Sequence, residues 1–141
     1  MAEYPTIRGL EAIPIEIKGE KEFAISEGQT RTHKSVIVRI VTEDPNIVGL
    51  AEIVCAPPGR PEEIQHEICS ALKTIVESAL IGTSAADTVS AQRIINEQIK
   101  GKVWTKGGLN VALNDLRARA LGVSCMSMFG VCNKDTRVPV I

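Results

Sequence analysis

The stretch that decides the fold is Gly107-Gly108-Leu109-Asn110-Val111-Ala112-Leu113-Asn114-Asp115-Leu116-Arg117-Ala118-Arg119-Ala120-Leu121-Gly122. Its apolar residues recur at helical spacing on one stripe, and Gly122 is the residue type that commonly ends a helix. A short apolar turn follows, and then the β-type run Arg137-Val138-Pro139-Val140-Ile141. We therefore expect a buried helix near the end of one domain, with the first residues of a second domain after it.

Composition and charge exclude several classes of partner. The chain has 141 residues, enough for one domain with its own core, and a formal net charge of −1 with 3% aromatic residues. Neither the charge nor the aromatic content favours nucleic acid. No apolar run approaches the ~20 residues of a membrane span, and the segment Met1-Ala2-Glu3-Tyr4-Pro5 does not resemble a leader peptide. We expect a cytoplasmic domain with no nucleic-acid partner and no membrane partner.

The potential metal ligands and nucleophiles do not form a recognisable site. The four cysteines are Cys55, Cys69, Cys125 and Cys132, which have no CxxC spacing and stand in apolar contexts typical of reduced thiols. His66 and Cys69 share one predicted helix face, but two ligands without a second pair do not make a zinc site. Asp115 is interpreted as a structural ion-pair or hydrogen-bonding group. We predict no catalytic residue and no metal site on this chain.

Three strands are predicted before Pro57-Pro58-Gly59, at residues 7–17, 35–42 and 48–54. Pro14 suits an edge strand, because it cannot donate a hydrogen bond to a neighbour. The turn Glu43-Asp44-Pro45-Asn46 is short, which implies antiparallel pairing of the last two strands. The segment Lys18 to Thr30 carries Gly19 and Gly28 among charged residues, and its length predicts a loop that acts as a flap.

Three helices are predicted after the prolines. The first runs from Pro61 to Ile81, with Glu62 and Glu63 in its first turn and Gly82 ending it. The second begins after an N-cap at Ser84 and continues to about Ile99, and the third runs from about Thr105 to Leu121. Lys106-Gly107-Gly108 is interpreted as the loop before the third helix. A three-stranded antiparallel meander followed by about three helices is an α+β fold.

The order and spacing of these segments resemble the amino-terminal capping domain of the enolase superfamily, in its muconate lactonising enzyme and mandelate racemase branch. The segments that carry the resemblance are the strand pattern, the loop after Val54, Ala79-Leu80-Ile81-Gly82, the helix from Ala112 to Gly122, and the exit Arg137-Val138-Pro139-Val140. The resemblance implies that residues 1–133 are a capping domain. It also implies that residues 134–141 are a linker and the first residues of a barrel domain that this chain lacks.

In that family the barrel holds a divalent metal, usually magnesium, and removes a proton alpha to a carboxylate. The resemblance implies that this chain caps the substrate of a magnesium-dependent isomerase or lyase, which would be a racemase, epimerase, cycloisomerase or dehydratase. Without its barrel the chain would be inert and would bind no cofactor. The implied partners are the barrel domain of the same protein, a carboxylate substrate and further copies in a homo-oligomer.

Two capping loops contact the substrate in that family, and they correspond here to 18–30 and about 53–59. The candidate substrate-binding residues are Phe23 and Ile25 in the first loop and Cys55 and Ala56 in the second. The alternative for these residues is that they only pack the loops against the sheet. The alternative for the whole chain is a non-enzymatic α+β module that self-associates or binds a protein partner, and the coding sequence beyond Ile141 distinguishes the two.

Overall fold

The computed structural model describes residues 4–25, 28–56, 63–131 and 137. The elements in chain order are β1 (Ile7–Ile25), β2 (Gly28–Thr42), β3 (Val48–Val54), α1 (Gln65–Ser78), α2 (Thr88–Gln98), α3 (Val103–Leu121) and the single turn α4 (Cys125–Met128). The predicted α+β order of an antiparallel meander followed by helices is confirmed. None of the helices described is long and apolar enough to span a membrane.

The sheet has the order β1-β2-β3, and both neighbouring pairs are antiparallel. Its inner face packs on the helices through Val36, Val38 and Ile40 of the central strand, whose side chains are fully buried. The predicted turn between β2 and β3 is confirmed, and the Asp44 carboxylate accepts a hydrogen bond from the Asn46 backbone N–H at 2.9 Å. Pro14 lies on the edge strand β1, as its missing N–H requires.

The prediction that Lys18 to Thr30 forms an irregular loop is wrong. In the structure Lys18 pairs with Thr32, Phe23 with Thr30 and Ile25 with Gly28, so β1 and β2 continue as paired strands. The register shifts between the first two of these pairs, where β1 has four residues between its partners and β2 has one. Pairing between the two strands overrides the loop-like composition of this segment, because each strand supplies the hydrogen-bonding partner that the other lacks.

Helix α3 lies closest to β3, and two glycines allow this approach. A Cβ atom on Gly49 would overlap the carbonyl oxygen of Ala112, and one on Gly108 would overlap the Ile53 side chain. The predicted apolar stripe of α3 is confirmed as the buried face, because Leu109, Leu113 and Leu116 are at most 2% exposed. The residues with the largest buried side chains form one core, namely Ile7, Ile40, Ile53, Ile68, Leu72, Ile75, Leu80, Ile95, Leu109, Leu113, Leu116 and Val36.

The boundaries of the first two helices differ from the prediction. Helix α1 begins at Gln65 and ends at Ser78, before Gly82, and Pro61 lies outside the described residues. The N-cap of α2 is Asp87, whose carboxylate accepts from the Ser90 N–H at 3.0 Å. Ser84 is not that cap, because it bridges to Thr6 and its hydroxyl accepts from the Ala86 N–H at 3.3 Å.

Helix α3 begins at Val103, which places Gly107 and Gly108 inside the helix and corrects the prediction of a loop there. Its carboxyl end is as predicted. Gly122 adopts the left-handed conformation with a φ of 67°, and its N–H bonds back to the last turn. Asp115 is a structural group, as interpreted from the sequence, since its carboxylate accepts from the Leu50 N–H at 3.0 Å and from Arg119 Nε at 3.1 Å.

Candidate functional site

The described parts of the two segments predicted to contact a substrate, residues 18–25, 28–30 and 53–56, lie at the same end of the sheet. Strand β3 ends at Val54, which pairs with Ser35 of β2, while β1 and β2 continue past this level. We call this two-stranded extension the ribbon and define it as residues 16–25 and 28–34. The Cys55 N–H donates to the Lys34 carbonyl at 3.0 Å, so Cys55 and Ala56 follow directly at the base of the ribbon.

Phe23 and Ile25 lie further along the ribbon, and their side chains are outside the described part of the structure. The backbone of Phe23 pairs with Thr30, which stands four residues before Lys34 on β2. An extended strand of that length spans about 13 Å. The structure therefore brings Cys55 and Ala56 together at the base, and it places the other two candidates along the same extension rather than beside them.

The surroundings of the Cys55 thiol favour its neutral form. Burial raises the pKa of Cys55, the neighbouring Cys69 raises it further, and Lys34 acts in the opposite direction. Burial also raises the pKa of Cys69. Because the thiolate is the nucleophile and the metal ligand, a raised pKa favours a contact surface over a reactive centre.

Charged groups around this base are paired with one another. Lys34 Nζ lies 2.9 Å from Glu16 Oε1, and both side chains are about half exposed. On the opposite sheet face from the helices, the Ser35 hydroxyl donates to Glu52 Oε1 at 2.6 Å. Among the described residues no group of three or more His, Cys, Asp or Glu side chains is arranged to hold a metal. These described charged and polar groups are therefore engaged with one another at the base of the ribbon.

Sequence reasoning missed the contacts that Glu63 makes. The prediction put it in the first turn of α1, but it precedes that helix and is 7% exposed. Its carbonyl accepts from the Ala56 N–H at 3.0 Å. Its carboxylate accepts from the N–H groups of Trp104 and Thr105, at 3.1 and 2.8 Å, and from the Thr105 hydroxyl at 3.0 Å. No local pattern signals these bonds, because they join residues 41 and 42 positions apart.

The sheet, its helical layer and the ribbon define a small α+β domain that presents two chain segments from one end of its sheet. The family described as the mandelate racemase / muconate lactonizing enzyme N-terminal domain matches residues 13–130. The chain belongs to this family, and the resemblance noted in the sequence is confirmed.

Two curated relatives have different activities. Chloromuconate cycloisomerase of Cupriavidus pinatubonensis is 30% identical over 128 residues, covering 88% of this chain and 33% of the relative. D-Ala-D/L-Ala epimerase of Cytophaga hutchinsonii is 31% identical over 114 residues, covering 81% of this chain and 30% of the relative. The chain thus spans about a third of the length of these relatives.

Solved structures show the same fold. The dipeptide epimerase from Cytophaga hutchinsonii, complexed with Mg and the dipeptide D-Ala-L-Val, matches with a TM-score of 0.80 and 28% identity, over 93% of this chain and 34% of that one. The L-Ala-D/L-Glu epimerase from Bacillus subtilis, in a substrate-liganded complex, matches with a TM-score of 0.79 and 26% identity, over 89% of this chain and 34% of that one.

Proposed function

We propose that this chain is the substrate-capping domain of a magnesium-dependent isomerase or lyase that removes a proton alpha to a carboxylate. The observation that carries the proposal is the position of the ribbon and of Cys55 and Ala56 at one end of the sheet. Family membership and the epimerase and cycloisomerase relatives support the reaction class. In this proposal residues 1–133 form the cap, and residues 134–141 lead into a barrel domain.

The cap supplies binding and exclusion of water, and no step of proton transfer. Phe23 and Ile25 on the ribbon and Cys55 and Ala56 at its base line the distal side of the substrate. A neutral thiol and a methyl group offer a small, weakly polar surface, which suits the part of a substrate remote from its reacting carboxylate. Closing such a surface over the reacting groups keeps water from the intermediate.

The metal belongs to the barrel in this proposal. Magnesium prefers several oxygen ligands in octahedral geometry, and no described cluster of side chains provides them. Two carboxylates near the candidate site are already engaged, Glu16 with Lys34 and Glu63 with the first turn of α3. In this proposal the isolated chain is inert, and it acts as part of a cytoplasmic, oligomeric enzyme only together with its barrel domain.

The test is a domain exchange. Residues 1–130 replace the matching segment of the Cytophaga hutchinsonii dipeptide epimerase, and deuterium incorporation at the alpha carbon of a dipeptide is followed with magnesium present. We expect the chimera to exchange the alpha proton, and Ala56→Phe to raise its KM severalfold with little change in kcat. Val54→Phe is the matched control, because Val54 is adjacent, 58% exposed and on the outer sheet face.

Two results would overturn the proposal. One is equal KM values for the Ala56→Phe and Val54→Phe chimeras, which would remove position 56 from the substrate site. The other is magnesium-dependent exchange by residues 1–141 alone that a chelator abolishes, because the cap would then carry the chemistry itself. A coding sequence without a barrel beyond Ile141 would favour the non-enzymatic alternative.

A further inference from the structure

The amino end of α3 lacks a cap from its own neighbourhood. The residue before the helix is Lys102, which adopts a left-handed conformation with a φ of 46° and whose side chain makes no capping hydrogen bond. The first-turn N–H groups of a helix need acceptors, and a negative charge is favoured at this positive end of the helix dipole. Glu63 meets both needs from outside the helix, through its bonds to Trp104 and Thr105.

The amino end of α3 is also packed tightly against the rest of the domain. Thr105 is fully buried, and one turn later Gly108 lies directly against Ile53, close to the end of β3. A group bonded to Thr105 is therefore held in a defined position relative to β3. Glu63 makes two bonds to that residue, one with its N–H and one with its hydroxyl.

The same residue closes the loop that follows β3. The chain leaves the sheet through Cys55 and Ala56, and the Ala56 N–H donates to the Glu63 carbonyl. Cys55 is bonded on its other side to Lys34 of β2. The segment 55–56 thus has two anchors. One is the sheet, and the other is Glu63, whose carboxylate bonds to the amino end of α3.

We infer that Glu63 is a positioning residue that sets the place of Cys55 and Ala56 in the capping surface by tying them to the amino end of α3. This inference rests on the proposed function for its purpose, but the tie itself is a property of the isolated domain. Removing the carboxylate would release the second anchor while the bond from Cys55 to β2 persists. The consequence is local opening at the base of the ribbon.

Thiol labelling tests the tie. Cys69, Cys125 and Cys132 are replaced with Ser, and the rate at which a chromogenic aryl disulfide reacts with Cys55 is measured under native conditions. We expect Glu63→Ala to raise this rate about tenfold or more, because a charge-assisted acceptor is lost. Glu63→Gln should have a smaller effect, since its amide oxygen still accepts one bond. The fluorescence of Trp104, the only tryptophan, should change more in Glu63→Ala than in Glu63→Gln.

Two matched controls separate positioning from general stability. Asp115→Asn removes a charged acceptor from another backbone N–H of the same sheet, that of Leu50, and should leave Cys55 labelling unchanged. A second background that retains only Cys125 should label at the same rate with and without Glu63→Ala. An equal increase in the labelling rates of Cys55 and Cys125 would overturn the inference, because it would indicate that the whole domain is destabilised.

The outcome remains decisive if Glu63→Ala does not fold. A folded Glu63→Gln variant whose Cys55 rate and Trp104 emission equal those of the parent would also overturn the inference. If the domain exchange failed but Cys55 labelling followed the expectation, the positioning of Cys55 and Ala56 by Glu63 would stand. Only its link to substrate binding would be lost. The two proposals can therefore fail separately.

Discussion

Gly108 of α3 lies in direct contact with Ile53 of β3, with no room for a side chain between them. The first prediction follows from this contact. Gly108→Ala should lower the free energy of unfolding by about 1–3 kcal/mol, because the added methyl group forces the helix and strand apart. Urea unfolding followed by circular dichroism measures the change.

Gly107 provides the control for that substitution. It lies in the same helix, but a Cβ there would meet nothing within 4 Å. Gly107→Ala should therefore stabilise the domain, by up to about 1 kcal/mol, through helix propensity alone. In the double variant with Ile53→Ala, the cost of Gly108→Ala should largely disappear. Equal effects at positions 107 and 108 would contradict the contact.

The second prediction compares the core with the ribbon. Leu113→Ala should cost about 2–5 kcal/mol of unfolding free energy, because Leu113 is 2% exposed in the core and truncation opens a cavity. Phe23→Ala should cost less than about 1 kcal/mol if Phe23 serves a substrate rather than the fold. Thermal and urea unfolding of the two variants give the comparison. If Phe23→Ala lowered the unfolding free energy as much as Leu113→Ala, Phe23 would belong to the packed core and the capping role of the ribbon would be contradicted.

The third prediction concerns pH. The Ser90 backbone N–H bonded to Asp87, helped by the Ser90 hydroxyl, holds the pKa of this N-cap carboxyl below its ordinary value. A carboxyl with a lowered folded pKa contributes stability that is present above the unfolded pKa, about 3.9, and is lost as the pH falls through the folded pKa. Asp87→Asn keeps a capping oxygen but cannot titrate.

We therefore expect the parent chain to lose more stability than Asp87→Asn between neutral pH and the acid range below about pH 4. At neutral pH the two chains should differ little, because Asn is nearly as good an N-cap as Asp. The measurement is the melting temperature across this range at constant ionic strength. Parallel pH profiles for the two chains would show that the cap does not titrate with folding.

The fourth prediction concerns association of the isolated domain. Phe129 is 67% exposed and Met126 44%, while Met128 beside them is partly buried. We expect these three residues to form an apolar patch that a partner domain would cover in the proposed enzyme. We expect the apparent mass in light scattering to rise with concentration and Phe129→Ser to reduce the rise. A constant monomer mass for the parent chain would count against an exposed docking surface.

Strand β2 and helix α3 were predictable because each buries one face, and the spacing of the apolar residues on that face can be read from the sequence. Val36, Val38 and Ile40 alternate, and the α3 residues recur every three or four positions. Predicting α4 would have required more than this, because a helix of one turn has no period to detect.

Several wrong predictions have a different cause, because they concerned contacts that no local pattern shows. The strands from Lys18 to Thr30 are stabilised by pairing with each other, which their glycines and charges do not indicate. Glu63, which precedes α1, bonds to the first turn of α3 instead. Gly108 is a helix position at which Ile53 leaves no room for a side chain. Of the four candidate site residues, the position of Cys55 and Ala56 beside the ribbon became clear only with the sheet register.

The ribbon extends past β3, so its length can change without changing the core. Inserting or deleting two residues in each strand would change the reach of the ribbon by about 7 Å and keep every side chain on its face. A change of one residue would reverse the faces beyond it. The reach of the ribbon can therefore change in steps of whole residue pairs, and in the proposed enzyme this would alter the space for a substrate without changing the core.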